Sequence, residues 1–145
     1  MPARWTGYNM IEGKMSHTHH VRVYYEDTAL AGIVYYANHL KFIERARTEW
    51  VRGLGVDQTR LRAETGLVFA VRRVTADYLQ PARFDDLLEV RSQVVASGGA
   101  RMELRQEIWR GPDLLFSADV TLVCVTENGR PGRIPAHLRL ALAPL

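Results

Sequence analysis

Tyr24-Tyr25-Glu26-Asp27-Thr28-Ala29-Leu30-Ala31-Gly32-Ile33-Val34-Tyr35-Tyr36-Ala37-Asn38 is the stretch on which the reading of this chain turns. Leading into it, Val21, Val23 and Tyr25 alternate with Arg22, Tyr24 and Glu26, the period of a half-buried strand over 21–26. Residues 27–36, centred on Ala31-Gly32, read as a loop. Past the loop the period changes. Leu40, Ile43, Ala46, Trp50, Val51 and Leu54 fall near one stripe, while Lys41, Arg45, Glu49 and Arg52 lie off it, as in an amphipathic helix. Asn38 is suited to cap that helix, since its side-chain oxygen can accept from the first free N–H groups. Gly53 and Gly55 mark the exit.

The remainder alternates between strand patterns and turn signals. A short second helix is expected over 57–65 and a strand over 67–78. The turn Pro81-Ala82-Arg83 leads to a strand over 87–96, and Ser97-Gly98-Gly99-Ala100 makes a hairpin connection. In the strand over 101–110, Met102, Leu104, Gln106 and Ile108 oppose Arg101, Glu103, Arg105 and Glu107. Gly111-Pro112-Asp113 turns the chain into a strand over 114–126, with Ala118, Val120, Leu122 and Cys124 on one face. One strand, one long helix and then a run of antiparallel strands define an α+β fold, the helix covering one face of a curved sheet.

With 145 residues the chain has the size of one domain. Apolar residues make up 47% and charged residues 24%, the balance of a folded globular chain rather than a disordered one. The net charge of +3 is spread along the chain. It suits an anionic ligand, and with no nucleic-acid motif beside it nucleic acid is not read as a partner. Cys124 is the single cysteine, which excludes an internal disulfide and points to a reducing compartment, the cytoplasm. No apolar run approaches the ~20 residues of a membrane span. Residues 1–20 lack an apolar signal core and are expected to be a flexible leader, with one domain over 21–145. His17, His19 and His20 have no ligating partner at metal spacing.

The quoted segment resembles the signature of the YbgC-like acyl-CoA thioesterases, a group associated with the Tol–Pal system and related to 4-hydroxybenzoyl-CoA thioesterase. That signature runs Tyr-x-Asp-x-Asp-x-x-Gly and two apolar residues before a helix. The match is strongest over 21–56, with weaker echoes such as Tyr78-Leu79-Gln80-Pro81 out to about Val125. The resemblance implies a hotdog fold, a long central helix wrapped by a curved antiparallel sheet. It implies an acyl-CoA substrate (an acyl-carrier protein is the alternative carrier), no metal or organic cofactor, and a homodimer or a homotetramer built as a dimer of dimers. Aligned on Gly32, the first aspartate of the signature falls on Asp27 and the second, the catalytic one, falls on Ala29. The backbone N–H of Tyr36 then matches the donor to the thioester oxygen, and Tyr25 matches a tyrosine of the site in some relatives. Asp27, Gly32, Val34 and Asn38 lie along the implied ligand path.

Thioester hydrolysis needs a nucleophile or a base and a set of donors for the oxyanion. A helix N-terminus supplies donors. Alanine supplies no lone pair, and loss of a general base costs ~10²–10⁴-fold in rate. The resemblance therefore describes an acyl-CoA thioesterase disabled at position 29. An engineered inactivating change accounts for an alanine in an otherwise matching pattern; a decayed paralogue retained for binding is the alternative. Asp27 is displaced from position 29 by ~7 Å in an extended segment, too far to substitute directly. A different hotdog lineage uses a glutamate about two turns into the helix, which makes Glu44 the rescue candidate. Arg72, Arg73, Ser97 and Arg101 are candidates to receive the phosphates of CoA. Cys124 reads as core packing rather than a nucleophile. Two other functions compete. One is a non-catalytic module binding acyl-CoA or acyl-carrier protein. The other is a dehydratase, for which His39 is the histidine nearest the helix start.

Overall fold

The structure is a computed structural model and describes residues 16–141. The chain begins with strand β1 (Ser16–Arg22) and passes through two short 3-10 turns, Tyr25–Asp27 and Leu30–Gly32, into helix α1 (Asn38–Gly53). A second helix, α2 (Gln58–Thr65), leads to β2 (Val68–Tyr78), β3 (Leu87–Ser97), β4 (Arg101–Arg110) and β5 (Asp113–Val125). A final short helix, α3 (Ala136–Ala141), closes the chain. The strands form one antiparallel sheet in the order β1-β3-β4-β5-β2.

Helix α1 lies on one face of this sheet. His39, Phe42, Ile43, Ala46 and Trp50 are its buried positions. They meet Leu88, Val90, Val94, Met102, Leu104, Ile108, Ala118, Val120 and Cys124 in a single core. The alternation in β4 and β5 behaves as the pattern requires, and Cys124 sits in the core with burial pushing its thiol pKa up. Asp57 caps α2 by accepting from the Arg60 N–H at 3.1 Å, and Gly66 ends that helix in the left-handed region.

Four sequence expectations shift. The first strand starts at Ser16, inside the stretch expected to be leader, and stops at Arg22, because β1 takes its register from β3 along its whole length. Residues 1–15 lie outside the described part. Tyr25, expected on the strand's inner face, is instead in a 3-10 turn and 81% exposed. Leu40 is also exposed, and His39 takes the buried position beside it. Helix α3 follows a tail that carries only prolines as a signal; Leu138 anchors it to the core.

One polar clasp crosses the core. Gln106 on β4 is fully buried, yet its Nε2 donates to the Ile43 carbonyl at 3.0 Å and to Ser92 Oγ at 2.9 Å. Its Oε1 accepts from Arg47 at 2.9 Å. The bond to Ile43 reaches the middle of α1 and sets how far the helix slides along the sheet. Replacing Gln106 by Leu keeps the volume and strands three partners, so we expect a loss of about 1–3 kcal/mol, measured as a lowered urea midpoint with an unchanged slope.

Candidate active site

The loop between β1 and α1 is closed by its own backbone. Thr28 bridges to Val34, the Ala29 N–H donates to the Ile33 carbonyl at 2.9 Å, and the Gly32 N–H returns to the Ala29 carbonyl at 3.1 Å. Turning within so few residues puts two consecutive positions in the left-handed region, Ala31 at φ 71° and Gly32 at φ 72°. Glycine adopts this freely, whereas alanine there carries a small strain. A second layer of bonds ties the loop down. The Val34 N–H donates to Ala82 at 2.8 Å and the Phe84 N–H to Gly32 at 3.2 Å.

Asp27 is the internal post. Its carboxylate accepts from the Tyr24 N–H at 2.8 Å, while its carbonyl accepts from the Tyr35 N–H at 3.0 Å and from Asn38 Nδ2 at 2.9 Å. Asn38 thus does not cap α1. Ala37, whose methyl has no acceptor to offer, holds the cap position, and the Asn38 amide is turned back to Asp27. Among the described residues, no acceptor takes the N–H of Tyr36 or of Ala37. Two oriented donors at the positive end of a sixteen-residue helix form an anion-stabilising corner.

The Tyr36 carbonyl is held hard. It accepts from Tyr78 Oη at 3.1 Å, from His39 Nδ1 at 3.0 Å and from the His39 N–H at 3.3 Å. His39 is buried, stacked on Phe116 at 5.2 Å between ring centroids and edge-on to Tyr78. Nothing in the pattern of apolar residues marks His39 or Tyr78 for this work; the clamp exists because β2 and β5 bring Tyr78 and Phe116 under the helix start.

Ala29 is exposed in this loop, flanked by Leu30 at 94% exposure. Gly32 sits in the turn, and Val34 is buried beneath it. Tyr25 packs edge-on against Phe84 at 6.3 Å. Glu44 is eight residues beyond Tyr36, about 12 Å along the helix axis, and its Oε2 accepts from Thr48 at 2.7 Å. Within one copy it is therefore remote from the Tyr36 donors.

Arg72, Arg73, Ser97 and Arg101 are not gathered at the loop. Arg101 pairs with Val123 at one end of β5, while Phe116 under the helix start pairs with Ile108 at the other, about 23 Å away along the strand. Arg73 faces away from α1 beside Thr121, and Arg72 occupies the bulge in β2. Other cations beside the loop are ones that sequence reasoning passed over as ligand groups. Arg22, Lys41 and Arg45 line a polar hollow of about 300 Å³ with Tyr24, Asp27 and Asn38. They are scattered in sequence, and only the pairing of strand and helix collects them. Among the described residues no group of three ligating side chains is placed to hold a metal.

Burial holds the His39 ring below the ordinary histidine pKa of 6.5, opposed in part by its bond to Tyr36. The unfolded ring takes up a proton near its ordinary value while the folded ring stays neutral to lower pH. Its contribution to stability is thus complete above about pH 6.5 and is lost as pH falls toward the folded value, by up to about 1.4 kcal/mol per unit. Replacing His39 by Gln should flatten that part of the loss of stability between neutral and mildly acid pH, as read from denaturation curves at a series of pH values.

Residues 31–117 match the family model described as the thioesterase superfamily. The acyl-CoA thioesterase YbgC of Haemophilus influenzae is 44% identical over 122 residues, covering 83% of this chain and 90% of its own length. The acyl-CoA thioester hydrolase YbgC of Escherichia coli O6:H1 is 43% identical over 106 residues, 72% of this chain and 78% of its own. Among solved structures, a probable thioesterase from Bartonella henselae superposes with a TM-score of 0.79 at 35% identity, covering 83% of this chain and 99% of the other.

Proposed function

The chain belongs to the thioesterase superfamily, and we propose that it is a YbgC-like acyl-CoA thioesterase that keeps its ligand site and lacks its working carboxylate. The observation that carries this reading is the pair of unengaged N–H groups at Tyr36 and Ala37, held in place by the clamp on the Tyr36 carbonyl, beside a loop whose position 29 is alanine. A thioester carbonyl seated on those donors is polarised, and its developing negative charge is met by the helix N-terminus. The attack itself needs a base or nucleophile at position 29, and alanine has none. Asp27 serves the loop instead: its Oδ2 accepts from the Tyr24 N–H and caps the 3-10 turn.

The reading places the protein in the cytoplasm as a homodimer or a dimer of dimers. Strand β2 is an edge of the sheet with Val71 and Tyr78 exposed, and Tyr25, Leu30, Tyr35 and Tyr36 add exposed apolar surface near its far end. An open strand edge next to an apolar patch is the surface a second copy covers. Among the described residues, no helix is long and apolar enough to cross a membrane. An acyl-carrier protein remains the alternative carrier of the acyl group.

Release of free thiol from a panel of acyl-CoAs tests the reading. The chain should bind them by calorimetry with little or no turnover, and Ala29→Asp should raise the rate by about 10²–10⁴-fold. A parent as fast as the variant would move the chemistry away from position 29, with Glu44 the next residue to replace. Light scattering should give a mass of two or four chains, and Val71→Lys should lower it.

A further inference from the structure

The loop that carries position 29 is not held by its own bonds alone. Its far arm, Ile33 and Val34, lies against the turn between β2 and β3. Ile33 bridges to Arg83, the Val34 N–H donates to the Ala82 carbonyl at 2.8 Å, and the Phe84 N–H donates to the Gly32 carbonyl at 3.2 Å. Wherever the turn sits, the loop sits with it. Left-handed backbone marks both sides of the contact. Ala31 and Asp85, each at φ 71°, are the only non-glycine residues of positive φ among the described residues. That conformation is unfavourable for a side chain and persists where surrounding bonds over-determine the backbone.

Arg110, at the end of β4, holds the turn. Its Nη1 donates to Asp86 Oδ2 at 2.9 Å and to the Pro81 carbonyl at 3.3 Å, so one guanidinium grips both ends. The same Asp86 oxygen accepts at 2.9 Å from the N–H of Arg83, the residue that bridges to Ile33. The Arg110–Asp86 pair is partly shielded, with side-chain exposures of 30% and 20%, and its bond is charge-assisted. A second cation works from β1, where Arg22 Nη1 donates to the Asp85 carbonyl at 2.6 Å. Arg22 is half exposed and the Asp85 side chain faces solvent, which leaves the Arg110–Asp86 pair as the firmer support.

We propose that Arg110, acting through Asp86, is the positioning residue that fixes position 29 against the Tyr36 and Ala37 donors. The proposal rests on the acyl-CoA thioesterase reading and deepens it. The donors are placed by α1, whose register is set inside the core by Gln106. Residues 29–32 have no such anchor: all four are exposed, and Val34 is the first buried residue after them. The separation between a carboxylate at position 29 and a carbonyl seated on the donors is thus set by the turn. A displacement of ~1 Å at such a contact costs on the order of a hundredfold in rate. Substrate binding should change little, because Arg110 bonds to the turn and not to the donors.

Two measurements test this. On the chain as it stands, Arg110→Ala should speed amide hydrogen exchange at Ala29, Val34 and Phe84 while amides in the middle of α1 and β4 keep their protection. In the Ala29→Asp variant, adding Arg110→Ala should lower kcat about ten- to a hundredfold with KM changed by less than about twofold. Arg110→Lys, a milder change that keeps the charge, should show both effects in smaller measure. Asp86→Asn should reproduce the loss, and combining it with Arg110→Ala should add little. Faster exchange spread evenly over α1 and the strands would reveal a loss of overall stability and overturn the proposal. An unchanged kcat, or a raised KM with kcat intact, would also overturn it while leaving the thioesterase reading in place. Absence of turnover by Ala29→Asp itself would overturn that reading and the proposal with it.

Discussion

The register of α1 on the sheet depends on one buried amide. Apolar packing alone lets a helix slide, because Ile, Leu, Val and Phe surfaces are non-directional. Gln106 removes that freedom, since its Nε2 must meet the Ile43 carbonyl or be left desolvated in the core. Two consequences follow along the helix. Toward its start, Tyr36 arrives over Tyr78 and Phe116, where its carbonyl finds a phenol and an imidazole. Toward its middle, Arg47 arrives beside the same Gln106, with Glu44 one turn earlier. The helix start at Tyr36 and the Arg47 side chain are thus both positioned through one buried amide.

The loop ahead of α1 is rigid at some expense. It takes a left-handed alanine and leaves large side chains in solvent, with Leu30 almost fully exposed. Such surface is unfavourable to leave in solvent. The backbone bonds of Asp27, Ala29 and Val34 hold the loop in this form without help from a side chain at position 29. An alanine there therefore leaves the scaffold intact.

Much of the architecture was legible in local pattern. The alternation of β4 and β5, the amphipathic period of α1 and the short helix expected over 57–65 all survive into the structure, because each depends on neighbours within a few residues. The start of β1 was missed because its residues are ordered by β3, more than sixty positions away. Asn38 was misread as a cap because the competing acceptor, the Asp27 carbonyl, is brought to it only by the folded loop. Helix α3 was missed because one buried leucine, rather than a periodic stripe, retains it.

The sequence by itself determined the fold class, the family, the long helix behind the 24–38 loop, and the absence of a carboxylate at position 29. Those properties reside in contiguous residues, where spacing and side-chain chemistry can be read directly. Only the tertiary structure decided which distant groups share a space. It joined Tyr78 and His39 at one carbonyl, put Arg47 against Gln106, and gathered Arg22, Lys41 and Arg45 around a hollow. It also kept Arg73 and Arg101 far from the loop. Such associations are set by strand register and by how a helix crosses a sheet, and these depend on packing across the whole core.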